Sequence, residues 1–287
     1  MSLHVGGVPE HFNLPWHWAW ENQFCNPLFP VFEWKSYPAG TGAMLKDLRD
    51  KKLDMAILLT EGMVQDIQQG NPARIIQFHV DSSLRWSIHV GARSSFTSID
   101  ALKHARFAIS RYKSGSHLMA YVLAKKWGRT LDDDKDFVLV ENLEGARKAL
   151  AEEPDLVFLW ERFTTKHLVD SGEFKYLGDC YTPWPSFVVV AREEVLRYQE
   201  EEVYALLEHI NEITRNLFKR SDIIDILCRK YRMKAVDALE WFTALKWNAG
   251  RETTLNELGT VLASLAEYGI VDQQAKAPDI FRIIHPV

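Results

Sequence analysis

From residue 3 to residue 191, short apolar runs alternate with stretches of helical spacing, and most runs end in a polar turn that opens the next helix. That order commits the chain to an α/β fold of mixed, mainly parallel sheets, because parallel strands need a helical crossover between them. The runs expected as strands are 3–8, 31–37, 54–59, 74–79, 86–92, 106–109, 137–140, 155–160, 174–177 and 186–191. Each strand-to-helix turn places its polar groups on one edge of a sheet, where small molecules bind. From Glu193 the 3.6-residue apolar spacing persists to the mid-260s, which predicts a helical C-terminal region.

With 287 residues, 47% hydrophobic and 25% charged, the chain has enough apolar material for one large domain or two lobes. A formal charge of −5, with Lys and Arg scattered among acids, supplies no basic field for nucleic acid. Cys25, Cys180 and Cys228 are far apart and odd in number, and they read as reduced thiols rather than a zinc site. No apolar run approaches the roughly 18 residues a membrane helix needs, so membrane insertion is not expected.

The richest turn lies in GGVPEHFNLPWHWAW, residues 6–20. It places Glu10, His11 and Asn13 after a strand and before a helix whose first turn holds Pro15. As a ligand site these residues supply an acid, an imidazole and an amide; as plain structure they are a solvated acid, a turn histidine and an N-cap. Thr41, after Pro38 and Gly40, opens the second helix, and Thr60 and Glu61 open the third. In the loop 110–117, Ser114, Ser116 and His117 sit at a helix N-terminus, where free N–H groups and two hydroxyls suit a sulfonate, phosphate or carboxylate. An N-cap with a flexible glycine turn explains the same residues equally well.

Glu61 and Glu161 each end a buried strand, where a carboxylate would accept hydrogen bonds from an amine or an aminopyrimidine. Ten tryptophans are many for this length. Trp16, Trp160 and Trp184 fall in or near expected loops, where their faces would stack on a planar ring, while Trp86 reads as core filling. Trp20, Trp127, Trp241 and Trp247 are expected to pack from helical faces. No Ser-His-Asp or Cys-His arrangement and no HEXXH run is present, so no catalytic residue is assigned. Glu10, His11 and Glu61 make too weak a metal set to assign one, and no cofactor is expected.

The blocks GGVPEHFNLPWHWAW, GTGAMLKDL, DMAILLTEG, SRYKSGSHLMAYVLAKKWG and DLVFLWERFTTKHLVDSG follow one another as in type II periplasmic-binding-protein folds. The chain resembles the branch holding sulfonate-, taurine- and nitrate-binding proteins and yeast thiamine-pyrimidine synthase. Its VPEHF and LTEG segments look like a leaderless yeast and bacterial group once labelled thiamine-biosynthesis-like. The resemblance spans roughly residues 3–220 and implies two lobes on a two-strand hinge, closing on a ligand. The corresponding division is lobe 1 over 1–82, lobe 2 over 83–183, a return to lobe 1 over 184–220, and a C-terminal helical region over 221–287 packing on the lobes.

The implied function is solute binding, with an anionic, zwitterionic or heteroaromatic small molecule as partner. The alternative is an enzyme of thiamine-pyrimidine or related vitamin-precursor metabolism on the same scaffold. The cysteine-rich iron-binding run of the synthase does not occur here. A strand beginning at residue 3 leaves no room for an export leader, so the expected location is the cytoplasm. It is the periplasm, with a membrane transporter as possible partner, if a native leader has been removed.

Overall fold

The computed structural model describes residues 2–22, 31–272, 274–282 and 284; Cys25 lies outside them. The chain forms two compact units, one of residues Met1–Ser82 with Trp184–Val287 and one of Ser83–Pro183. It passes from one to the other twice, at Ser82–Ser83 and at Pro183–Trp184.

The first unit is built on β1 (Leu3–Gly7), α1 (Leu14–Asn22), β2 (Phe32–Ser36), α2 (Thr41–Arg49), β3 (Met55–Leu59), α3 (Thr60–Gln68), β4 (Ala73–Val80) and, after the return, β10 (Phe187–Arg192). The sheet order is β2-β1-β3-β10-β4. β1 is parallel to β2 and β3, while β10 runs antiparallel to β3 and β4, so four strands point one way and the returning strand the other. The carboxyl ends of β1 to β4 and the amino end of β10 therefore share one edge. β3 and β10 are central and read as unbroken apolar runs, as strands covered on both faces do. Val5, Ile57, Val188 and Val190 have no exposed surface.

The C-terminal region of this unit supplies α7 (Glu193–Tyr198), α8 (Glu200–Phe218), α9 (Ile223–Tyr231), α10 (Ala235–Ala244) and α11 (Leu255–Glu267). α8 buries Val203, Leu206, Leu207, Ile210, Thr214 and Leu217, a stripe at helical spacing, and packs against α1. Trp247 departs from its expected helical setting. It lies in an extended stretch bridged to Val80, with Asp81 N–H donating to Lys246 O (2.7 Å) and Asn248 N–H to His79 O (3.0 Å). β4 is an edge strand with free backbone groups, and pairing them outweighs continuing the helix. Trp20, expected to pack, is 41% exposed.

The second unit contains β5 (Arg85–Gly91), β6 (Phe107–Ile109), α4 (Gly115–Lys125), β7 (Phe137–Leu139), α5 (Leu143–Glu152), β8 (Val157–Glu161), α6 (Arg162–Asp170) and β9 (Phe174–Tyr181), ordered β7-β6-β8-β5-β9. β6 is parallel to β7 and β8, and β5 is antiparallel to β8 and β9. The pattern of the first unit recurs, four strands against one. Again the odd strand is the one that follows a crossing. β9 is longer than expected, running on through Gly178 at φ +151°, a position where a Cβ would come within 2.5 Å of Ile99 Cδ1. The core gathers Ala108, Leu150, Phe158, Leu168 and Phe174.

Candidate functional site

At its shared edge the first unit collects Glu10, His11, Asn13, Thr41, Thr60, Glu61 and Trp184. Most of them are buried and bonded within the unit. Asn13 has no exposed surface, and its Nδ2 donates to Val8 O at 2.8 Å, closing the turn after β1. The next carbonyl back along that turn, Phe12 O, accepts from His79 Nε2 and from Trp247 Nε1, both at 2.9 Å. His11 packs against Phe12 (centroids 4.7 Å apart) and meets Trp241 edge-on at 4.5 Å. Burial pulls its imidazole down to about 3, so His11 is neutral at physiological pH. Trp16, expected in or near a loop, stands instead in α1 with no exposed surface, against Phe32, Trp34 and His79. A helix turn rather than a loop carries it because the 3-10 turn His11–Asn13 runs directly into α1.

The starts of α2 and α3 are knitted together. Thr41 Oγ1 accepts from Leu59 N–H at 3.4 Å, and Gly62 sits so close to Thr41 that a Cβ would lie 2.7 Å from its methyl group. Thr60 donates from Oγ1 to Pro185 O (2.6 Å) and from its N–H to Ser186 O (3.1 Å), pinning the returning segment. Beside it, Trp184 Nε1 donates to Glu61 Oε2 at 2.8 Å. Only Glu10 and Thr41 of this set are half-buried rather than buried.

The edge of the second unit carries Ser114, Ser116, His117, Trp160 and Glu161. Here too the side chains are occupied. Ser114 caps α4 by accepting from His117 N–H. Ser116 Oγ accepts from Ser110 N–H at 3.0 Å and lies 3.0 Å from Ser114 Oγ. His117 Nδ1 accepts from Lys113 N–H at 2.9 Å, which leaves the proton on Nε2, 3.3 Å from Asp133 Oδ1. Burial lowers its pKa against the pull of Asp133. This brace holds Lys113 at φ +62°. Glu161 is the N-cap of α6, its Oε2 accepting from Thr164 N–H (2.7 Å) and Oγ1 (2.8 Å). Burial raises its pKa, with Thr164 pulling the other way. Trp160 is half-buried and stacks on Phe158 with centroids 5.3 Å apart.

What this network leaves open is backbone. Among the described residues the N–H groups of Gly115 and Ser116, the first two positions of α4, make no hydrogen bond. Exposed Arg111 and Lys113 flank them, and neither side chain is in an ion pair among the described residues. Sequence reasoning singled out the free N–H groups, the hydroxyls and the histidine of this loop and passed over Arg111, although a base between a strand end and a helix N-terminus is a legible signal. It also missed a cluster near the crossings, where Asp179 accepts from Arg85 Nε (2.7 Å), Ser87 Oγ (3.1 Å) and Tyr176 OH (2.8 Å), with Arg162 at 3.7 Å. β5 and β9 bring those residues together only once paired. Among the described residues no group of three His, Cys, Asp or Glu is placed to hold a metal, and no helix is long and apolar enough to cross a membrane.

Comparison with known proteins agrees with this architecture. A family model described as Ca3427-like PBP matches residues 86–180. Curated proteins yield no match. Among solved structures, the Candida albicans CA3427 gene product, described as having the generic periplasmic binding protein fold, superposes with a TM-score of 0.89 at 25% identity, covering 99% of this chain and 97% of that one. The alkanesulfonate-binding protein SsuA from Xanthomonas axonopodis pv. citri, bound to MOPS, gives 0.76 at 14% identity over 98% of both chains. The periplasmic nitrate-binding protein NrtA from Synechocystis PCC 6803 gives 0.72 at 14% identity over 98% of this chain and 86% of that one. With two five-stranded sheets of this order and these neighbours along its whole length, the chain is by fold a member of the type II periplasmic-binding-protein-like superfamily.

Proposed function

We propose that the chain is a solute-binding protein whose ligand is a small organic anion, alone or as one end of a zwitterion. The observation that carries the reading is the pair of unbonded N–H groups, Gly115 and Ser116, at the start of α4. Two aligned donors at the positive end of an eleven-residue helix favour an oxyanion, and Arg111 and Lys113 add positive charge beside them. Ser114, Ser116 and His117 then serve to shape the loop rather than to touch the ligand. The half-buried indole of Trp160 offers an apolar face on the same edge for the remainder of the molecule. In the first unit, Glu10 and Thr41 are the groups with surface to spare for a ligand.

The relatives are consistent with an anion. One structure of the same fold holds MOPS, a sulfonate whose ring nitrogen takes a proton, and another belongs to a nitrate-binding protein. The test is a thermal-shift and calorimetric panel of alkanesulfonates, phosphate monoesters, carboxylates and their uncharged isosteres. A true ligand at a hundred times its Kd raises stability by about 2.7 kcal/mol. Gly115→Pro deletes one of the two donors at a helix position that tolerates proline, following a residue already extended at ψ 167°. It is expected to weaken the anion without weakening the helix. Unchanged affinity in that variant, or binding of only uncharged members of the panel, refutes the reading.

A further inference from the structure

Glu61 is unlike the other acids of the edge. It is 1% exposed, its Oε2 accepts from the indole of Trp184, and its Oε1 is buried with no hydrogen-bond partner. Trp184 is the first residue of the returning segment, between Pro183 and Pro185, and is itself 2% exposed with its ring edge-on to Tyr268 at 5.9 Å. The neighbouring backbone is held by Thr60, through Pro185 O and Ser186 O, and Ser186 Oγ donates to Ser82 O at 2.9 Å. The outgoing and returning crossings are thus tied to each other and to the first turn of α3. Glu61 is the only ionisable side chain in that tie among the described residues.

We propose that Glu61 is a proton-binding site that latches the returning segment: the neutral acid keeps Trp184 buried, and loss of the proton releases it. Among the described residues Oε1 faces no partner in either protonation state, and an unpartnered neutral hydroxyl costs less to bury than an unpartnered charge, while Oε2 accepts from the indole. An ionised carboxylate would stand in the same place with one side-chain donor and an oxygen facing no partner, and it gains by drawing in water at the cost of the Trp184 contact. Burial pushes the Glu61 carboxyl up to about 7, against the opposing donation of Trp184 and of its own backbone N–H. The charges of neighbouring elements are engaged elsewhere. On α3, Asp66 pairs with Arg49 of α2; ahead of the outgoing crossing, Asp81 pairs with Arg251; in the C-terminal region, Tyr268 meets Trp184 through its ring.

The experiment follows the indole N–H resonance of Trp184 in the intact chain labelled with ¹⁵N-tryptophan, identified by its loss in Trp184→Phe, from pH 5 to pH 9. The latch predicts a single titration with a midpoint near 7. In Glu61→Gln, which keeps the acceptor but cannot ionise, the resonance is expected to stay at its low-pH position throughout. A second readout needs no variant: the ¹³C carboxyl resonance of Glu61 must titrate with the same midpoint as the indole. A stationary indole resonance, one that still titrates in Glu61→Gln, or a Glu61 carboxyl that titrates in the ordinary carboxylate range overturns the proposal.

Discussion

The two units carry the same five-stranded plan and use the edge that bears the strand-to-helix turns differently. In the first, the polar residues of the edge are drawn inward: Asn13, Thr60, Glu61 and Trp184 are buried and bonded to the turn after β1 or to the returning segment. In the second, the side chains of Ser114, Ser116 and His117 are bonded to one another and to their own loop, and the main chain of α4 is left with donors to give. A polar side chain at the end of a strand is therefore as apt to build the rim as to contact a ligand. In the second unit, the side chains that shape the rim leave the Gly115 and Ser116 N–H groups unbonded among the described residues.

Acid should separate the units most strongly. Among the described residues three buried histidines with lowered pKa belong to the first: His11, lowered to about 3, and His17 and His79, each lowered to about 4. The second has His89, lowered to about 3, and His117, also lowered. Because these folded-state values lie below the unfolded one, the stability each contributes is complete above pH 6.5 and is lost as pH falls toward the folded value. The loss is about 1.4 kcal/mol per histidine per pH unit. Glu61 works the other way, its contribution being complete below 4.5 and lost as pH rises through about 7. Three histidines outweigh it. Hydrogen exchange at pH 5 should show β1, β3 and β4 losing protection before β6 and β8; the reverse order, or loss in step, contradicts the assignment of the burden to the first unit.

Trp16→Ala and Trp160→Ala make the next contrast. Trp16 has no exposed surface, and its truncation is expected to cost about 3–5 kcal/mol in denaturant unfolding. Half-buried Trp160 should cost no more than about 2 kcal/mol and should instead show its effect in ligand affinity. Equal costs would mean that both indoles are core. Arg111→Ala comes third: anion affinity should fall by about 1.5–3 kcal/mol with stability unchanged within about 0.5 kcal/mol. Smallest is Ser114→Ala, which removes the cap of α4 and should cost about 1 kcal/mol of stability. If Ser114→Ala lowers affinity more than Arg111→Ala does, the hydroxyl touches the ligand after all.

Periodicity made the strand and helix order readable because β3 and β10 are continuous apolar runs and because Ser114, Asn142 and Glu161 cap their helices by local bonds. It failed where distant partners decide. β9 runs past Gly178 because β5 is there to pair with it, and Trp247 lies extended because the edge of β4 needs partners. The candidate residues were legible as edge residues, since a turn after a strand identifies itself. Whether a side chain points outward or is consumed within the rim depends on groups far away in sequence, as Glu61 does on Trp184, 123 positions on, and Phe12 O on Trp247, 235 positions on. Backbone donors leave no mark in a sequence beyond the helix start itself.

The central claim is that the start of α4 takes the anion through its main chain. An amide ¹⁵N–¹H titration of the intact chain with alkanesulfonates, phosphate monoesters and carboxylates tests it directly. The account predicts that the member that binds moves the Gly115 and Ser116 amide resonances downfield more than any others, and that in Gly115→Pro, which weakens binding, the Ser116 response needs a higher anion concentration. Saturating binding by an anion that leaves both amides unmoved, or no binding by any anion in the panel, would contradict it.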